Sequence, residues 1–204
     1  MASVYGLVDA FYNLYQMVQY VVKHDIPGDF VECGVHAGGM SLLAALTFLK
    51  LGDTSRHLYL YDTFEGMPSP TREDGEQAEQ TYLSNTKGGA AWAKVEMDAV
   101  HRTMINSGYP EDKIHLVKGL VEETIPAIAP DNISILRLDT DYYSSTRHEL
   151  NHLYPRLSTG GALIIDDYGY FRGARLATDE YLSATHARIL LHRLNFTVRV
   201  GIKA

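Results

Sequence analysis

Five short apolar runs, each closed by an acidic residue or a glycine, alternate with stretches of helical periodicity. This alternation constrains the fold more than any other feature of the 204 residues. The runs are 29–35, turning at Gly34; 57–61, closing on Asp62; 113–117, closing at Gly119; 133–138, closing on Asp139; and 161–165, closing on Asp166-Asp167. Between them, Leu7, Phe11, Leu14, Met17, Val18 and Val21 recur at helical spacing within 4–22, and 40–51 reads as a second helix. Strand–helix alternation predicts an α/β domain with a mostly parallel sheet and helices on both faces. The last two apolar runs, 189–194 and 196–202, are joined at Asn195 with no helix between them, which predicts an antiparallel C-terminal hairpin. Residues 66–89 lack apolar periodicity and are rich in Pro, Glu, Gln, Thr and Gly. A loop of that length inside a compact domain predicts a lid or a disordered segment.

Composition narrows the class. Apolar residues at 46% and charged residues at 21% describe a chain that buries a full core, and the length fits one domain over 1–204. A net charge of −7 argues against a nucleic-acid partner, whose phosphates call for clustered basic residues. No apolar run reaches the roughly 18 residues of a membrane span and the N-terminus has no basic-then-apolar leader, so a cytoplasmic protein without a membrane partner is expected. Cys33 is the sole cysteine. It has no internal disulfide partner, no Cys/His cluster has zinc spacing, and its strand position reads as a buried small hydrophobe.

Ligands of open parallel sheets bind beyond the carboxyl ends of the strands, which is where the acids gather. In the first turn, Glu32-Cys33-Gly34-Val35-His36 is followed by Gly38-Gly39, and these glycines do not fit the G-x-G-x-x-G dinucleotide fingerprint. An acid just before the turn would repel a pyrophosphate but suits the cationic sulfonium and amino groups of S-adenosylmethionine. Asp62, at the second strand end, suits ribose hydroxyls. The competing reading is a plain βα turn with an incidental acid. Asp139, Asp141, Asp166 and Asp167 form a second constellation at two neighbouring strand ends. Gathered carboxylates repel one another unless a cation or proton relieves them, and an all-oxygen set favours Mg²⁺ or a similar hard divalent ion over zinc. Helix N-capping is the alternative for Asp139, Asp141 and Asp167. His36 reads as a base, a substrate contact or a structural hydrogen-bonding residue.

Four segments in order carry a family resemblance. They are 26–35 with Gly38-Gly39; 60–68 (LYDTFEGMP); 138–146 (LDTDYYSST); and 165–168 (IDDY). Together they resemble the macrocin O-methyltransferase (TylF) family of bacterial S-adenosylmethionine- and Mg²⁺-dependent sugar O-methyltransferases. The resemblance runs from about Ile26 to the end. It implies a Rossmann-like class I methyltransferase sheet and a role in antibiotic biosynthesis. It implies that Asp139, Asp166 and Asp167 bind the metal and that Asp141 is the general base, with Asp139 also in the catalytic centre. The cofactor would lie across Glu32, Cys33, Gly34, Val35 and His36, then Asp62, Thr63 and Phe64, with Gly119 and Asp139 completing the site. The expected acceptor is a small molecule with neighbouring hydroxyls, such as a sugar diol, and a homodimer is left open. A nicotinamide-dependent oxidoreductase and a non-catalytic relic that kept the cofactor pocket are the rival readings.

Overall fold

The computed structural model describes residues 4–204, with side chains from Gly6 onward. In chain order the elements are α1 (Val4–Lys23), β1 (Asp29–Cys33), α2 (Gly39–Leu51), β2 (Leu58–Asp62), α3 (Gly75–Asn85), α4 (Met97–Asn106), β3 (Ile114–Lys118), α5 (Val121–Thr124), β4 (Ile133–Leu138), α6 (Tyr143–Leu153), β5 (Leu157–Ile165), α7 (Arg172–Thr185), β6 (His192–Arg193) and β7 (Arg199–Ile202). The strands form one sheet in the order β3-β2-β1-β4-β5-β7-β6. β1 to β5 pair in parallel, while β7 is antiparallel to both β5 and β6. The expected mixed sheet and C-terminal hairpin are both present. Among the described residues no helix is long and apolar enough to cross a membrane.

Strand alternation sends side chains to two cores. Phe30, Leu58, Leu60, Ile135 and Ile164 pack against α1, α2 and α4, joining Leu14, Val18, Phe48 and Met104. Val31, Cys33, Tyr61, Leu136, Leu138 and Leu163 pack on the other face against Leu150, Leu153 and Tyr181. The order turns back between β1 and β4, and the site lies there. Gly34 makes the approach possible. It has φ +87°, and a Cβ on it would overlap the backbone carbonyl of Asp139.

The segment expected to be an irregular loop differs from that expectation, because it contains α3. Only Ala78 of that helix is fully buried, so one apolar contact per three turns leaves no stripe to read in the sequence.

One buried acid lies under the site. Glu149 of α6 is fully buried, accepts from the Thr140 hydroxyl at 2.9 Å and lies beside Cys33. Burial pushes its carboxyl up to about 8 from the usual 4.5. The unfolded chain ionises this group above pH 4.5 while the folded protein keeps it protonated. Its contribution to stability is therefore complete below 4.5 and lost as pH rises towards 8. Glu149→Gln is expected to flatten that decline. Urea denaturation of both proteins across this range checks it, and parallel curves would refute it.

Candidate active site

The core of the site follows from strand register. Glu32 on β1 stands opposite Arg137 on β4, and both point to the α1/α2 face, as Phe30 and Ile135 do. Asp139 follows two residues after Arg137, and Asp166 follows two after Ile164, so all four carry the same parity. Arg137 is 3% exposed. One guanidinium nitrogen donates to Glu32 Oε1 at 2.7 Å and to Asp139 Oδ2 at 2.8 Å. The other donates to Asp166. Glu32 also accepts from the Ser41 hydroxyl. Burial alone would lower the Arg137 pKa, but the carboxylates of Asp139, Asp166 and Glu32 outweigh it and hold the guanidinium protonated. Burial pushes the Glu32 carboxyl up, and Arg137 opposes it.

Asp141 and Asp167 lie on the other side of β4's end. Asp141 adopts φ +67°, a left-handed conformation uncommon for a residue with a side chain. Its Oδ1 is buried and has no hydrogen-bond partner. Burial, then the neighbouring charges of Asp167 and Asp139, push its carboxyl well up. Asp139 is likewise raised by burial despite Arg137, and Asp167 is raised by burial. Asp139, Asp166 and Asp167 each place one carboxylate oxygen within 4.8 Å of the others. Three convergent hard oxygens fit Mg²⁺, Mn²⁺ or Ca²⁺.

The capping alternatives do not describe these acids. Tyr142 is the N-cap of α6 and makes no side-chain cap bond; the Tyr143 N–H instead donates to Asp74 at 2.7 Å. Phe171 stands at the N-cap of α7, and Asp167 contributes only its backbone carbonyl to that turn.

Two cavities meet at this cluster. The first, of about 580 Å³, lies over the ends of β1, β2 and β3 and is lined by Gly34, His36, Asp62, Thr63, Gly119, Asp139, Asp141 and Asp167, with Met67, Trp92 and Tyr142 around them. The second, of about 640 Å³, has Glu32, Arg137, Asp139 and Asp166 on its floor. Val35, Leu7, Phe11, Met40, Tyr170 and Phe196 line the rest. His36 and Asp139 border both. Asp62 accepts from the backbone N–H of His36 and of Phe64, each at 2.8 Å, and so shapes the first cavity's rim.

The residues expected to bind the cofactor as one block are therefore divided. Gly34, His36, Asp62, Thr63, Gly119 and Asp139 share the first cavity. Glu32 and Val35 line the second. Cys33 and Phe64 line neither, since both are buried in the two cores. The twofold alternation of a strand separates Glu32 from Cys33, whereas Val35 lies beyond β1, after Gly34 at φ +87°, and falls on the Glu32 side. Arg137 was not among the expected site residues. Its signal was present, as a charge inside the apolar run 133–138 with the parity of Glu32.

The sequence model for macrocin-O-methyltransferase (TylF) matches residues 8–198. The 8-demethyl-8-(2,3-dimethoxy-alpha-L-rhamnosyl)-tetracenomycin-C 4'-O-methyltransferase of Streptomyces olivaceus is 35% identical over 76% of this chain and 59% of that protein. The demethyldecarbamoylnovobiocin O-methyltransferase of Streptomyces niveus is 31% identical over 83% of this chain and 63% of that protein. The chain thus spans about three fifths of the length of these two relatives. The solved structure of the O-methyltransferase NovP superposes with a TM-score of 0.85 at 27% identity, covering 97% of this chain and 80% of that one. The calicheamicin methyltransferase CalS11, at 22% identity and a TM-score of 0.68, shares the fold. The sheet is that of a class I methyltransferase, and the chain belongs to the macrocin O-methyltransferase (TylF) family.

Proposed function

We propose that this protein transfers a methyl group from S-adenosylmethionine to a hydroxyl of a sugar, or of another vicinal-diol group, on a natural product. The observation that carries this reading is the meeting of two cavities at one carboxylate cluster, with Asp139 bordering both. A cofactor-sized space with a strand-end acid lies on one side, and a space with a polar floor and apolar walls lies on the other. By their names, the Streptomyces olivaceus relative methylates a rhamnosyl-tetracenomycin and the Streptomyces niveus relative a demethyldecarbamoylnovobiocin, and the former agrees with an acceptor that has a hydroxylated end and an apolar body.

S-adenosylmethionine would supply the methyl group from the first cavity. A hard divalent ion on Asp139, Asp166 and Asp167 would supply Lewis acidity towards acceptor oxygens. The chain's own residues do the rest. Asp62 holds the backbone at His36 and Phe64 and keeps lone pairs for ribose hydroxyls. Asp141 offers its unpartnered Oδ1 as proton acceptor for the acceptor hydroxyl. Residues 66–69 line the first cavity beside Trp92, and segment 66–89 would close over it. Leu7, Phe11 and Phe196 meet the apolar part of the acceptor in the second cavity.

Binding of S-adenosylhomocysteine tests the cofactor side. Asp62→Ala is expected to weaken it by about 1.5–3 kcal/mol, the loss of charge-assisted hydrogen bonds; equal affinity in calorimetry would remove Asp62 from the cofactor site. The two acids of the β4 end are separable by kinetics. Asp141→Asn is expected to keep Mn²⁺ affinity and lower kcat by roughly 10²–10⁴-fold. Asp139→Asn is expected to weaken Mn²⁺ binding and to recover part of its activity at raised Mg²⁺. Full turnover in EDTA would refute the metal role. Arg137 has a different signature, in stability. Arg137→Met leaves Glu32, Asp139 and Asp166 without their common partner and should cost about 3–5 kcal/mol, as breaking a buried ion pair does. An unchanged urea midpoint would contradict it.

A further inference from the structure

Helix α6 starts two residues after Asp141, and its first turn is capped from a distant part of the chain. The Tyr143 N–H donates to Asp74 Oδ1 at 2.7 Å. Asp74 is 1% exposed and stands immediately before α3, in segment 66–89, whose residues 66–69 line the first cavity. Its Oδ2 accepts from the Thr71 N–H at 2.7 Å and from the Thr71 hydroxyl at 2.9 Å. The seat is shaped for this carboxylate, because a Cβ at Gly173 would overlap Asp74 Oδ1. Around it, Ala78 packs with Tyr142, Phe171 and Ala174, and Met67 and Trp92 rest against them. The segment is thus held to α6 and α7 by a small apolar cluster and one buried acid. A carboxylate at a helix N-terminus satisfies an otherwise unpaired N–H and complements the helix dipole.

We propose that Asp74 is a positioning residue that ties the seating of segment 66–89 to the conformation of the turn bearing Asp139 and Asp141. The turn needs such an anchor. Asp141 holds φ +67°, which persists in a residue with a side chain only where its surroundings determine it. Its upstream end is pinned by the Asp139 N–H donating to the Cys33 carbonyl at 2.8 Å. Its downstream end is the start of α6, which Asp74 holds. Release of the segment therefore uncaps α6 and frees the turn at the same moment. The link to catalysis rests on the function proposed above, but the link between Asp74 and Tyr143 does not.

Two measurements test it, one of them free of ligand. Amide hydrogen exchange is followed at Tyr143 and through 66–89. S-adenosylhomocysteine dissociation is followed by the fluorescence of Trp92, the sole tryptophan, which lines the first cavity. Asp74→Ala is expected to speed exchange at Tyr143 and in the segment by about two- to thirtyfold, the range of a lost N-cap, and to speed dissociation similarly. Asp74→Asn keeps an acceptor oxygen for Tyr143 and is expected to restore most of both. Unchanged exchange at Tyr143 in folded Asp74→Ala overturns the proposal, as does an Asp74→Asn protein no better protected than Asp74→Ala. Should Asp74→Ala not fold, Thr71→Val removes one donor to Oδ2, and wild-type exchange in its 66–89 segment is the overturning result. If the wild-type protein binds no S-adenosylhomocysteine, the cofactor reading fails, and the exchange comparison alone decides Asp74.

Discussion

A guanidinium buried in the middle of a parallel sheet sets the terms for the rest of this structure. Arg137 faces Glu32 across two adjacent strands, in a position where either charge alone would be expensive to bury. The pair is stable there because the guanidinium's donors are shared among Glu32, Asp139 and Asp166 while Ser41 donates to Glu32. Each contact ties a different element to β4, namely β1, the turn after β4, the end of β5 and, through Ser41, the first turn of α2. Four strand and helix ends are thereby held to one rigid planar group. Lysine, with a single point charge, has no fork to reach all of these oxygens.

The strand order reverses beside that hub. β1 and β4 are neighbours, and the turns leaving them diverge to give a crevice. Gly34 lets the first turn press on the Asp139 carbonyl, so the crevice is split rather than continuous. His36 and Asp139 remain at the border, with one cavity on each side. A group reaching across from either cavity meets the same carboxylate.

The strands were legible in the sequence because each ends an apolar run with an acid or glycine, and β4 has the bounds its sequence pattern implied. β5 begins earlier than expected, at Leu157, because Ser158, Thr159 and the two glycines carry little strand signal, yet the backbone pairs with β4 from there. The acid cluster was legible for the same reason as the strands. Its internal division was not, since Glu32-Cys33-Gly34-Val35-His36 reads as one motif along the chain but its side chains go to different faces. Arg137 was recoverable by parity. Asp74 and Glu149 were not, because nothing near either in sequence marks it as buried. Asp74 is placed by Tyr143 and Gly173, and Glu149 by Thr140 and Cys33, all partners brought together by the fold.

The electrostatics of the cluster then divide its labour. Glu32, Asp139 and Asp166 lie on the guanidinium's side, and their charge is largely answered within the protein. Asp141 and Asp167 make no ion pair with it and share a hydrogen bond; burial pushes both carboxyls up first, and the charge that adds to it is Asp167 for Asp141 and Asp166 for Asp167. Among the described residues no Lys or Arg forms an ion pair with either of these two. The carboxyls without an ion-pair partner thus lie on the first-cavity side of β4's end, where Asp141 Oδ1 is buried without a hydrogen-bond partner. The three carboxylates proposed to hold a cation span this division, since Asp139 and Asp166 are bonded to Arg137 and Asp167 is not. Asp139 stands at the division, bonded to the guanidinium on one side and bordering the first cavity on the other.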